Sequence, residues 1–260
     1  MAAEKFACSD GFEWLSRGGF VARGLVYGII GVLAFKLALG SGGQSASQKG
    51  ALQSIAHQPF GHFLLILVAI GLAGYSMWRL TRAILGHGPE ESDTGFERVA
   101  AGASGIVYAG LCVLAIEILL GSGGSTSGNA KGVFGWPAGV LLVGIAGAVL
   151  IGVGLYQGYR GVSRDFLEDS KTEEMSVGVR TWIKWIGTFG LLSRMVVFGL
   201  VGVFLIRAAI DYNPNKAVGL DGALAKLRDS AYGPYMLGVV ATGLVAFGLY
   251  SLSDARYRRI

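Results

Sequence analysis

Three charged residues interrupt otherwise apolar stretches at one repeated place in the chain: Lys36, Glu117 and Arg207. Ionisable side chains are costly in hydrocarbon and often mark ion or solute paths there. A carboxylate between two cations would pair with one of them, and such a cluster near a common axis would serve transport or gating. The structural alternative is that the long Lys and Arg side chains reach the lipid headgroups. Lys36 lies about 28 Å along a helix from Arg17, near the far edge of a bilayer core. Helical side chains tilt toward the N-terminus, away from that edge, and Glu117 is short. A second repeated place holds Arg23 and Arg194, about 9 Å inside the opposite boundary. Here the tilt favours contact with lipid phosphate, and a polar vestibule is the alternative.

Other chemistry-bearing patterns are weaker. Gly40-Ser41-Gly42-Gly43 and Gly121-Ser122-Gly123-Gly124 superficially resemble phosphate loops, but they lack the Lys-Ser/Thr ending and follow no strand. His57 and His62 are five apart, which puts them off a common helical face, so no metal site is expected. His87 reads as a turn residue. No nucleophile elbow accompanies the Ser, His and Asp residues, so the chain is expected to be no enzyme and to need no cofactor.

The elements that position these residues are long and apolar. The chain has 260 residues, of which 52% are hydrophobic and only 15% charged. Soluble domains usually carry about 25% charge, and no charge at all falls between Phe63 and Trp78. A bilayer core needs about 20 apolar residues as helix. Six segments qualify, over residues 18–39, 60–84, 99–120, 136–158, 185–210 and 232–252. The 43 glycines suit helices whose backbones approach closely, and Gly24 with Gly28 forms one such face.

The segments repeat in pairs. Arg17–Gly43 (RGGFVARGLVYGIIGVLAFKLALGSGG) returns as Arg98–Gly124 and, more weakly, as Thr188–Pro214. The second helices align through Gly74, Gly152 and Ala246, and through Trp78, Tyr156 and Tyr250. Pro59 and Gly61 match Pro137 and Gly139. A short amphipathic segment at Gly50-Ala51-Leu52 recurs at Gly222-Ala223-Leu224. The expected architecture is all-α: one membrane domain over residues 1–260, with repeats at 17–86, 98–160 and 188–252. Three parallel two-helix units imply a pseudo-threefold axis along the membrane normal.

Lys and Arg set the orientation. Thirteen lie at the termini and in the second and fourth loops, against five in the first, third and fifth. The positive-inside rule then makes both termini cytoplasmic. The net charge of +5 reads as topology and anionic-lipid contact, not nucleic-acid binding. Residues 1–16 read as an interfacial lead-in without a cleavable signal, and the loop from Gly158 to Arg180 as an exposed surface. Cys8 and Cys112 are not expected to pair.

The pattern Ala22-Arg23-Gly24, Val26-Tyr27, Gly31, Ala34 resembles the family called domain of unknown function 1206. The likeness covers about residues 17–252, with Ser104 replacing the Arg in the second unit and Phe198 the Tyr in the third. It implies a bacterial-type integral membrane protein of three tandem two-helix units, in the plasma membrane, and brings no activity or functional residues. Two functions remain open. One is a small transporter or channel for an ion or small solute. The other is a non-catalytic accessory or scaffold subunit of a larger membrane complex, with another membrane protein or a second copy as partner beside the bilayer.

Overall fold

The computed structural model describes residues 10–41, 44–85, 95–121, 136, 138–213 and 216–258. Every regular element among them is helical: α1 (Asp10–Ala38), α2 (Gln48–Ala56), α3 (Gly61–Leu85), α4 (Gly95–Leu119), α5 (Gly139–Ser163), α6 (Val177–Ile210), α7 (Leu220–Arg228) and α8 (Gly233–Tyr257). Six are long and apolar enough to cross a membrane, over Glu13–Ala38, Gly61–Ile84, Ala101–Leu119, Gly139–Ser163, Val177–Ile210 and Gly233–Tyr257. The two short amphipathic helices occupy the same place in the first and third units. Ser47 caps α2 by accepting the Gly50 N–H, and Pro234 sits in the first turn of α8, where its missing N–H costs nothing.

The helices run longer at the charged end than hydropathy alone implies. α1 starts at Asp10 and absorbs part of the expected lead-in; α6 starts at Val177 and α5 continues to Ser163. The 34 residues of α6 span about 51 Å, well beyond a 30 Å core. The segment after Gly158, read as an exposed loop, is instead helical to Ser163 and then tucks inward. Phe166 is only 1% exposed and packs edge-to-face on Tyr250 at 5.3 Å, and Ser170 forms an isolated antiparallel bridge with Arg258. Pro137, His87, Cys8, Gly42 and Gly43 of the first glycine loop and residues 122–124 of the second lie outside the described residues.

The three broadest helix interfaces each join the second helix of one unit to the first helix of another: α3 with α4, α5 with α6, and α8 with α1. The same contact recurs in all three. A Cβ on Gly31 would lie 2.8 Å from the Ala241 carbonyl oxygen, and one on Gly202 2.6 Å from that of Gly147; at the matching place Cys112 Sγ meets the Ala69 carbonyl at 3.4 Å. Two turns lower, Gly248 abuts the Gly24 carbonyl, and Ser76 Oγ donates to that of Gly105 at 2.7 Å. Packing of this kind, with small residues admitting a neighbour's backbone, is how membrane helices associate when no hydrophobic gain is available.

Contacts within a unit are unequal. In the first unit α1 packs on α3, with Gly71 against Ala22 and the Gly18 carbonyl. In the third, α6 packs on α8, with Gly243 against Ser193. The second unit has Val149 at that place, 53% exposed, and among the described residues α4 and α5 make at most marginal contact. An isopropyl group holds the backbones apart where glycine would admit them. The long helices therefore follow one another in the row α5–α6–α8–α1–α3–α4.

Gly31→Leu is expected to lower stability by about 1–3 kcal/mol or more, because the new side chain meets the α8 backbone. A Cβ on Gly152, which is exposed, would meet nothing within 4 Å, and Gly152→Leu is expected to stay within about 0.5 kcal/mol of the parent. Melting of the two variants in detergent checks the contrast.

Candidate functional site

Arg23 faces inward from α1 at the level where α3 and α8 converge on it. It is 4% exposed. Its Nη1 donates to Tyr75 Oη at 2.6 Å, its Nε to Ser251 Oγ at 2.6 Å and its Nη2 to Asp254 Oδ2 at 2.8 Å. The rings of Phe20, Tyr75 and Phe247 surround the guanidinium with centroids 5.0, 4.9 and 5.3 Å away. An Arg cannot shed its proton, so burial requires this in-plane and facial saturation. Ser251 Oγ in turn donates to the Phe20 carbonyl at 3.1 Å.

The network continues from both sides of Arg23. Tyr75 Oη also accepts from Arg79 Nε at 3.0 Å. Asp254 Oδ2 lies 3.4 Å from Arg258 Nη1, Arg258 Nη2 donates to Asp169 Oδ2 at 2.7 Å, and Arg160 Nη2 donates to the same oxygen at 2.6 Å. Seven side chains thus connect α3, α1, α8, the α5–α6 linker and α5. Asp254 is 1% exposed. Around Asp169, burial disfavours the charge, but the guanidiniums of Arg258 and Arg160 outweigh it and hold the carboxyl well below its ordinary range. Burial likewise works against the charge on Arg258, and Asp169 and Asp254 more than restore it.

Arg194 has a different environment. Its guanidinium stands over Tyr27, Phe198 and Phe247 at 4.9, 4.9 and 4.3 Å, so Phe247 lies beneath both Arg23 and Arg194. It is half-buried, its Nε is buried without a hydrogen-bond partner, and none of the ion pairs among the described residues includes it. The expectation that Arg23 and Arg194 serve mainly as lipid-phosphate anchors is corrected for Arg23, whose charge is spent on Asp254 inside the bundle.

The other expected cluster is not assembled. Lys36 and Arg207 are exposed, Glu117 is half-buried, and no ion pair joins any two of them among the described residues. The reason is rotational: these places lie nine residues beyond Tyr27, Tyr108 and Phe198, half a turn around each helix from the side that Tyr27 and Tyr108 bury. His57 Nδ1 pairs with the Gln53 carbonyl at 2.6 Å at the end of α2.

Sequence reading missed Asp254, Tyr75, Ser251, Arg258, Asp169 and Arg160. One signal for Asp254 was present. Four residues beyond the aligned Trp78, Tyr156 and Tyr250 stand Arg82, Arg160 and Asp254, a change of charge sign at one repeated place.

Asp254→Asn leaves Arg23 and Arg258 short of a buried counter-charge and is expected to cost about 3–5 kcal/mol, read from thermal or denaturant melts in detergent. For Asp169 the folded carboxyl titrates below its unfolded value, so its stabilisation is complete above about pH 4 and is lost as pH falls further. Wild type is therefore expected to weaken more steeply below pH 4 than Asp169→Asn, with no such difference in slope between pH 7 and 5.

Comparison with known proteins follows the repeats. The family described as Domain of Unknown Function (DUF1206) matches residues 18–86, 99–164 and 189–258. The chain is 32% identical over 256 residues to the uncharacterised protein YxxB of Bacillus subtilis (strain 168), covering 95% of this chain and 92% of that protein. No solved structure matches. The three matches fall on the three units that supply the buried network, and the chain belongs to the DUF1206 family as a multi-pass helical membrane protein.

Proposed function

We propose that this protein is a small non-enzymatic transporter or channel for an ion or small solute in a bacterial plasma membrane, with both termini cytoplasmic and the units arranged about a pseudo-threefold axis. The observation that carries this reading is the buried chain of guanidiniums and carboxylates at one end of the bundle. Charged groups facing the interior of a membrane protein are the usual currency of ion and solute paths. The chain ties helices of all three units to one another, so a shift of α8 against α1 must exchange the partners of Arg23 and Arg258. Discrete exchange of that kind is what an opening step requires. The orientation rests on the Lys and Arg distribution and on the neighbouring termini: Arg17 Nη1 donates to the carbonyls of Ala255 and Arg256 at 2.6 and 2.9 Å.

The test is flux through the purified protein in liposomes, with chloride, potassium and acetate as probes. Wild type is expected to dissipate a gradient of at least one probe faster than empty vesicles. Arg23→Lys, which keeps the charge but loses the fork of donors, is expected to slow that flux about tenfold, the loss of roughly one charged hydrogen bond. Absence of flux for every probe, or flux indifferent to Arg23→Lys, overturns the reading.

A second reading has its own observation. The faces of α4 and α5 that units one and three cover internally are left open in unit two: Val107 and Val149 are more than half exposed, whereas Val26 and Val197, and Gly71 and Gly243, at the same places are buried. An accessory protein would seat a helix of its complex there. Gentle purification followed by mass spectrometry would then show a fixed-ratio partner, lost on Gly152→Leu although the variant melts normally.

A further inference from the structure

We propose that Arg194 and Gln157 form a binding site for a small oxyanion that carries its own hydrogen-bond donor, of the bicarbonate or hydroxy-acid class. The site is the counterpart, at the α5–α6 interface, of the Arg23 station at the α8–α1 interface. The two interfaces share their backbone contacts: Gly248 abuts the Gly24 carbonyl and the Gly28 N, and Gly154 abuts the Met195 carbonyl and the Gly199 N. In the alignment of the units Met195 matches Gly24 and Gly199 matches Gly28, so Arg194 stands where Arg23 stands.

The surroundings of the two arginines differ in one respect. Arg23 meets Ser251 and Asp254, one and four residues beyond Tyr250. The matching residues beyond Tyr156 are Gln157 and Arg160. The acid has become a base, and that base is bound to Asp169. Arg194 is left with no protein counter-charge among the described residues. Its Nε is buried and unpartnered, and so is Gln157 Oε1. Two buried polar atoms without partners, at stations where the sister interface forms a hydrogen bond, are each costly unless a further group meets them.

The chemistry of that group follows from what is already occupied. Tyr27, Phe198 and Phe247 surround the Arg194 guanidinium with their ring faces, which offer no oxygen to its N–H groups. Its in-plane donors remain, and these match the paired oxygens of a planar oxyanion. The Gln157 carboxamide oxygen accepts, so the ligand supplies an O–H or N–H to it. A halide satisfies the charge but not the amide. Its role as transported substrate rests on the transport reading above; its binding does not.

The test uses full-length protein in detergent, titrated calorimetrically with bicarbonate, glycolate, acetate and chloride. Bicarbonate or glycolate is expected to bind saturably and more tightly than acetate or chloride. Gln157→Leu is expected to weaken that binding about tenfold to a hundredfold, and Arg194→Gln to abolish it. Arg207→Gln, on an exposed residue of the same helix, is expected to bind as wild type. If Arg194→Gln does not fold, wild type and Gln157→Leu decide. No saturable binding of any probe, or binding indifferent to Gln157→Leu, overturns the site. One anionic phospholipid retained per protein in native mass spectrometry, and lost on Arg194→Gln, overturns it in favour of a lipid phosphate. Binding without flux of that anion or of any other probe keeps the site and removes the transport reading; flux without binding does the reverse.

Discussion

The guanidinium of Arg23 has to be satisfied inside a membrane bundle, and much of the molecule's charged end follows from that need. Its charge cannot be removed by deprotonation, so a carboxylate, a hydroxyl and a phenol must be brought to it. Asp254 and Ser251 come from α8, Tyr75 from α3. Three helices distant in sequence are thereby fixed in rotation and height. Asp254 then draws in Arg258, Arg258 shares Asp169 with Arg160, and the linker between α5 and α6 is pinned against the end of α8. The inward tuck of Phe166 is a consequence of the same closure.

The spans and the repeat were legible because both rest on local composition. Apolar length sets the six helices, and alignment of a few Gly, Tyr and Trp residues sets the three units. The helix ends were less legible at the basic end, because Arg160 and Lys184 read as loop residues although α5 continues to Ser163 and α6 starts at Val177. The site was less legible still. Arg23 and Asp254 are separated by 231 residues, and nothing in the neighbourhood of either names the other. A lone Arg near a membrane boundary ordinarily meets lipid, which is why the anchoring expectation arose. Lys36, Glu117 and Arg207 were suggested by equal position in the repeat. Equal position gives proximity only on the inward side of the helices, and these three places lie half a turn away from it.

The small residues explain how one plan yields an asymmetric bundle. Where the first and third units have Gly71 and Gly243, the second has Val149, and the added bulk is enough to keep α4 from packing on α5. The interface between successive units does not depend on that place. It uses Gly31, Cys112 and Gly202 instead, which all tolerate a carbonyl from the neighbouring helix. Two sets of positions therefore govern two sets of contacts, and one of them was free to change without loss of the other.

The same separation applies to charge. The inter-unit interface forms three times, but Arg23, Ser104 and Arg194 share one place in the repeat and Asp254, Arg82 and Arg160 another, and Arg23 is ion-paired with Asp254 across it. If the charged end existed only to hold helices together, an acid opposite each Arg would cost less than an unpaired Arg, and an uncharged pair would cost less still in a medium that penalises ions. The chain has one complete pair, one cation left to aromatic rings and one place with no cation on the first helix. Packing does not require that pattern, because the glycine contacts recur without it. The distribution of charge is thus an addition to the fold rather than a condition of it, and it concentrates at Phe247, where the satisfied Arg23 and the unsatisfied Arg194 meet the same ring.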